Sequence, residues 1–270
     1  MKTHVANSNN RKTPAAQRIA AVCILSTLLL TPMFANAQEP TTVTATPEEQ
    51  QKAIQLAGQD HAALLNFLID RYDRNVRDYT GTFLKQEKID GKLTPNQKIA
   101  FKFRQQPFSV FMEWLENPVG ADKILYVEGQ NDGKMLAHPT GLISWVKSVK
   151  IDPEGRQATK SSLYPVTRFG FRSNLVQTLE VYRDAAEKDH AQIAFTGPET
   201  VAGRQVLTFE RTLPHGQYEN PRLTVRLDLE YLLPTEIIAT DQNGDLISHY
   251  TYTDLNFNTN LTDQDFAGLN

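Results

Sequence analysis

Residues 79–89 read YTGTFLKQEKI, residues 90–91 are Asp-Gly, and residues 97–104 read QKIAFKFR. Both runs follow period two, and Asp-Gly supplies the positive backbone angles that a tight hairpin needs. In the second run Ile99, Phe101 and Phe103 fall on one face, with Lys98, Lys102 and Arg104 on the other. One apolar face and one wet face are the habit of a strand in an antiparallel sheet. The same signal continues downstream. Residues 108–115 (FSVFMEWL) precede the turn Asn117-Pro118-Val119-Gly120, and residues 123–128 and 134–137 flank a second hairpin signal at Asn131-Asp132-Gly133. Further strands are expected at 191–197, 204–211, 222–231, 235–241 and 246–253, the last entered through Asn243-Gly244. In 222–231 Leu223, Val225, Leu227 and Leu229 alternate with polar residues. The stretch 138–170 predicts one strand over 143–151 followed by a loop.

Two helical segments interrupt this pattern. Thr46, Pro47 and Glu49 combine an N-cap, a first-position proline and a capping box. Behind them Ala57, His61, Leu64, Leu65, Leu68, Ile69, Tyr72 and Val76 recur at helical spacing, which predicts one amphipathic helix over 47–78. Leu175, Val176, Leu179, Tyr182 and Ala186 do the same behind Ser173, read as a cap, for a helix over 171–188. Helix, strands, helix, strands with hairpin-length links describe a single α+β domain over residues 47–270. Residues 38–46 (QEPTTVTAT) are small and polar and read as a flexible tether.

Charge is distributed unevenly along the 270 residues. The first 37 carry Lys2, Arg11, Lys12 and Arg18 and no acid, followed by an apolar run at 19–30 and Ala35-Asn36-Ala37. This order is that of a secretory signal peptide, residues 1–37, cleaved before Gln38, and it predicts a periplasmic protein. Residues 19–34 are broken by Ser26, Thr27, Thr31 and Pro32, short of the ~20 apolar residues a membrane span requires. Removing the leader takes the formal charge from −3 to −7 and removes Cys23, the only cysteine. An acidic, thiol-free chain excludes disulfides and thiolate sites and argues against a nucleic-acid partner.

The residues hold no recognised catalytic pattern. No two glycines are two positions apart, and Gly129, Gly133 and Lys134 match a phosphate loop poorly because Met135 stands where Ser or Thr is needed. His61, His138, His190, His215 and His249 lack ligand spacing, so no metal is expected. No serine sits in a nucleophile elbow. Glu87, Asp90, Glu113 and Glu116 read as surface charge on polar strand phases or turns, and Arg168, Arg172 and Arg183 as a solvated helix face. What stands out is apolar and aromatic surface on one strand phase: Phe83, Phe101, Phe103, Phe108, Val110, Met112, Trp114, Tyr126, Leu223, Val225, Leu227 and Leu229. Either the two helices cover it and close a dry core, or sheet and helices leave an apolar pocket.

Several segments are familiar. Tyr79-Thr-Gly81-Thr-Phe83-Leu-Lys-Gln86-Glu87, Phe101-Lys-Phe103-Arg-Gln-Gln-Pro107-Phe108-Ser-Val110 and Tyr126-Val-Glu-Gly129-Gln130 resemble an exported bacterial family catalogued as a domain of unknown function. Residues 233–244, 250–255 and 263–266 are similar to the LolA/LolB-like superfamily of outer-membrane lipoprotein carriers and receptors. That resemblance implies a curved antiparallel sheet, an incomplete β-barrel, with helices covering its concave face. It implies no catalytic residues, no cofactor, and non-covalent binding of a lipid, acyl chain or lipoprotein. Phe83, Phe101, Phe103, Val110, Met112, Trp114, Leu223, Val225 and Leu227 become candidate cavity residues, and charged replacements at Phe103 or Val225 are expected to abolish ligand retention. The partners expected are a lipid or acylated ligand and a membrane-associated donor or acceptor protein. The alternative is an envelope sensor or protein-interaction module on the same fold. An enzyme acting on lipid or glycan through the carboxylates has no supporting motif.

Overall fold

The computed structural model describes residues 43–190, 192–214 and 216–269. The leader expected at 1–37, the first part of the tether, and His215 lie outside the described residues. Helices α1 (Pro47–Gln59) and α2 (His61–Asn75) precede β1 (Asp78–Ile89), β2 (Lys92–Leu93), β3 (Gln97–Arg104), β4 (Ser109–Glu116), β5 (Ala121–Val127), β6 (Met135–Pro139) and β7 (Val149–Ile151). A single helical turn, α3 (Arg156–Thr159), and the long helix α4 (Phe171–Glu187) follow. The chain then runs through β8 (Gln192–Val201), β9 (Arg204–Thr212), β10 (Arg222–Asp228), β11 (Leu233–Thr240) and β12 (Leu246–Phe257). Among the described residues these twelve strands form one antiparallel sheet, in the order β7-β6-β5-β4-β3-β1-β12-β11-β10-β9-β8, with β2 paired to β1. No helix among the described residues is long and apolar enough to cross a membrane.

The hairpin signals act as expected. Asp90 and Gly91 both take positive φ (48° and 77°) between β1 and β2, and Asn131, Asp132 and Gly133 do so between β5 and β6. The capping box is present in full, with Thr46 and Glu49 each accepting the other's backbone N–H.

Four expectations fail locally. The helix over 47–78 is two helices, because Asp60 is extended (φ −152°, ψ 98°). Its N–H still closes α1 on the Leu56 carbonyl, while its carboxylate accepts the Ala63 N–H at 2.9 Å and opens α2. Interrupting the helix by one residue keeps the apolar stripe in phase, so periodicity alone does not reveal the break. The strand expected over 143–151 is reduced to Val149–Ile151, preceded by a 3-10 turn at Gly141–Ile143. Helix α4 begins at Phe171 behind Gly170, and Ser173 caps nothing. Residues 43–46 of the expected tether are docked: Val43 and Ala45 are buried, and the Ala45 N–H bonds the Glu230 carbonyl. The anchor is Arg71, buried on α2, whose guanidinium donates to the carbonyls of Val43 and Tyr231 and lies 3.1 Å from Glu49 Oε2.

Strand order and connectivity shape the sheet. β7 and β8 are its two edges, and the segment joining them, which carries α3 and α4, crosses from one edge to the other. Nine strand spacings separate β7 from β9, roughly 40 Å in a flat sheet. Yet Ile151 of β7 and Arg211 of β9 line one cavity of ≈ 790 Å³, so the sheet is curled around it. The outer face is not uniformly wet. The C-terminal turn Asp263–Phe266 covers part of it, with Phe266 packed against Leu125 and Val127, and Asp265 bonded to Lys102 at 3.0 Å.

Candidate functional site

The inner face of β1 explains why the cavity has a charged floor. Phe83, Lys85 and Glu87 are in phase, so two ionisable side chains point inward beside an aromatic ring. Lys85 Nζ lies 3.0 Å from Glu87 Oε2 and donates to Ser162 Oγ at 3.0 Å; Glu87 also accepts the Leu163 N–H at 3.1 Å and the Tyr250 hydroxyl. Burial first, and the Glu87 charge second, push the Tyr250 phenol far above its ordinary range, so it remains a donor. Every charge in this buried set has an opposite partner, and the set fastens residues 162–163 to the sheet. The expectation that Glu87 is ordinary surface charge is therefore wrong, since the residue is 1% exposed.

Around this floor the wall changes character from one side to the other. Met112, Ile124, Met135, Val149 and Ile151, from β4 to β7, make an apolar end. Arg211, Gln217, Tyr218, Glu219 and Asn220, from the β9–β10 hairpin, make a polar end. Residues 157–170 and one face of α4, including Asn174, Thr178 and Val181, complete the enclosure. A smaller apolar cleft of ≈ 80 Å³ lies under α2, lined by Leu64, Leu68, Val225 and Leu227. Asn174, Thr178, Arg211 and Leu223 border both spaces.

The structure divides the nine sequence candidates into three groups. Phe83, Met112, Trp114 and Leu223 line the large cavity. Val225 and Leu227, again with Leu223, line the small cleft. Phe101, Phe103 and Val110 line neither; they belong to a closed aromatic core with Tyr79 and Phe171. The Phe103 ring lies tilted against the Tyr79 ring, 4.8 Å between centroids, and the Tyr79 hydroxyl accepts the Phe171 N–H that opens α4. A charge at Phe103 thus tests folding rather than binding.

Ile124, Met135, Val149, Ile151, Phe169 and Tyr252 line the cavity without having been singled out. In β5 the reason is visible. Ile124 and Leu125 are both apolar because Phe266 buries the outer face, so alternation there carries no inside-outside signal.

The three arginines near α4 do not form a cluster. Arg172 pairs with Asp73 at 2.7 Å, Arg183 reaches Asn66, and Arg168 alone lines the cavity. Among the described residues no three His, Cys, Asp or Glu side chains gather as a metal site. The chemistry available in the cavity is apolar contact, hydrogen bonding and charge pairing.

A family model described as a protein of unknown function (DUF1571) matches residues 76–270. No protein with a curated description matches. Among solved structures the chain is similar to MucB at 16% identity and a TM-score of 0.44, covering 77% of this chain and 63% of that one. It therefore spans less than two thirds of MucB. It is also similar to a putative outer membrane lipoprotein-sorting protein domain from Vibrio parahaemolyticus (13% identity, 80% and 97% covered, TM-score 0.36). A LolA superfamily protein from Nitrosomonas europaea is a third (11% identity, 75% and 96% covered, TM-score 0.33).

Proposed function

This chain belongs to the DUF1571 family, and we propose that it is a non-enzymatic, exported protein that shelters a lipid, an acyl chain or a lipoprotein's acyl group in its half-barrel, for passage between envelope membranes. The observation that carries the reading is the ≈ 790 Å³ space held open between the curled sheet and α4. Its volume falls in the range of small-molecule sites, roughly 300–1,000 Å³, and one wall is a continuous apolar surface suited to a hydrocarbon chain. Each methylene buried there stabilises the complex by ~0.8 kcal/mol, so a long chain needs no catalytic group to be retained. The basic, apolar, small-x-small order of residues 1–37 supports export to the periplasm, where such a carrier would work. Organic extraction and lipid mass spectrometry of the protein purified from its own envelope test the proposal. A reproducible, stoichiometric lipid is expected. Absence of any lipid, repeated after incubation with membrane extract, overturns it.

A second reading, an envelope protein-interaction module, is favoured by one feature. Leu142 is 99% exposed and Trp145 81% exposed on the turn beside Ile143 of the cavity lining. Large apolar side chains in water commonly mark a contact surface. Loss of partner capture in Leu142→Ser/Trp145→Ser with cargo retained would favour this reading over transport.

A further inference from the structure

Arg211 is an arginine without an acid among the described residues. It stands on β9 opposite Leu223 of β10, at the neck between the large cavity and the small cleft. One terminal nitrogen donates to the Asn220 carbonyl at 3.2 Å, while its Nε is buried and has no hydrogen-bond partner among the described residues. No ion pair among the described residues includes Arg211.

 The same holds for Arg168, which is exposed and lines the same cavity. Burial pulls the Arg211 guanidinium down to about 10, so it is still a cation at neutral pH.

Tyr164 lines the cavity with these two arginines. Its hydroxyl accepts from Asn220 Nδ2 at 2.8 Å, and its own proton has no acceptor among the described residues. Burial raises the phenol above its ordinary value, against the opposing effects of Asn220 and Arg168, which keeps that proton in place as a donor. Two acids also line the cavity. Glu87 is committed to Lys85, the Leu163 N–H and Tyr250, and Glu219 is exposed and forms no ion pair among the described residues.

We propose that Arg211, Arg168 and the Tyr164 hydroxyl form an oxyanion subsite at the polar end of the cavity, which takes the carboxylate or phosphate head of an amphiphile whose chain lies along Met112, Ile124 and Met135. This rests on the carrier reading and narrows its ligand from any apolar molecule to an anionic one. A guanidinium fork suits both heads, because each presents two oxygens to it.

Calorimetric titration of the protein purified after expression of the full-length chain tests the assignment, with palmitate, hexadecyl phosphate, hexadecanol and inorganic phosphate as probes. One or both anionic amphiphiles are expected to bind about tenfold more tightly than hexadecanol, as a charge-assisted hydrogen bond allows. Arg211→Met should reduce them to the hexadecanol value and leave hexadecanol unchanged, whereas Arg211→Lys should keep part of the preference. Equal binding of hexadecanol and both anions by the unmodified protein overturns the subsite and leaves the carrier reading standing. Inorganic phosphate binding as tightly as hexadecyl phosphate overturns the head-group assignment in favour of a free-phosphate site. Binding of none of the amphiphiles overturns the carrier reading together with the subsite. If Arg211→Met does not fold by circular dichroism, the unmodified protein and Arg211→Lys still decide the outcome.

Discussion

Gly170 shows how one residue couples the helical cover to the sheet. Its φ is +111°, and a Cβ there would lie 2.9 Å from Phe103 Cε2 and 3.2 Å from the Tyr79 hydroxyl. Gly170→Ala is therefore expected to cost about 2 kcal/mol or more, read as a lower urea midpoint, because backbone strain of roughly 1–3 kcal/mol adds to a steric clash. The Lys85–Glu87 pair makes a second prediction. Lys85→Met leaves a buried carboxylate without its cation and should destabilise by about 3 kcal/mol. Lys85→Met combined with Glu87→Gln should recover part of that loss in a double-mutant cycle. His61, half-buried between Tyr182 and Phe209, gives a pH dependence. Burial lowers its imidazole below the ordinary 6.5, so the fold favours the neutral form. Its contribution is present above the unfolded pKa and is lost as pH falls below about 6.5. His61→Phe should flatten the decline in melting temperature between neutral and mildly acidic pH.

At the scale of elements, the break between α1 and α2 rests on Asp60. Asp60→Ala removes the acceptor for the Ala63 N–H and should cost about 1 kcal/mol in chemical unfolding. Periodicity does not reveal the break, because the apolar stripe runs through it in phase; the cap chemistry of Asp60 is what marks it. Strand alternation was legible in β3, where Ile99, Phe101 and Phe103 are buried as read. It was not legible in β5, where a distant C-terminal turn buries the second face. Inward-facing Lys85 and Glu87 are hidden in the sequence for the complementary reason: polarity ordinarily signals exposure, although both lie on the same strand phase as Phe83.

For the whole molecule, the cavity depends on the sheet curling until β4 to β7 face β9 to β11 across it. Filling that space should separate binding from stability. Met112→Trp, directed into the cavity, is expected to lower lipid occupancy severalfold in extraction while leaving the melting temperature nearly unchanged, because open volume can accept the ring without overpacking. The sequence by itself determined the order of helical and strand segments, though not the break at Asp60 or the extent of β7: period-two runs, turn dipeptides and the Thr46–Glu49 box are local, and short-range sterics and hydrogen bonding set them. It also established that Phe83, Phe101, Phe103, Val110, Met112 and Trp114 share an apolar role. Only the tertiary structure decided which of them face empty space and which face other side chains. That outcome depends on contacts between residues far apart in the chain: Gly170 against Phe103, Phe266 against Leu125, and Arg211 brought to the same cavity as Met135. No local pattern encodes such distances, because curvature and crossover, not alternation, set them.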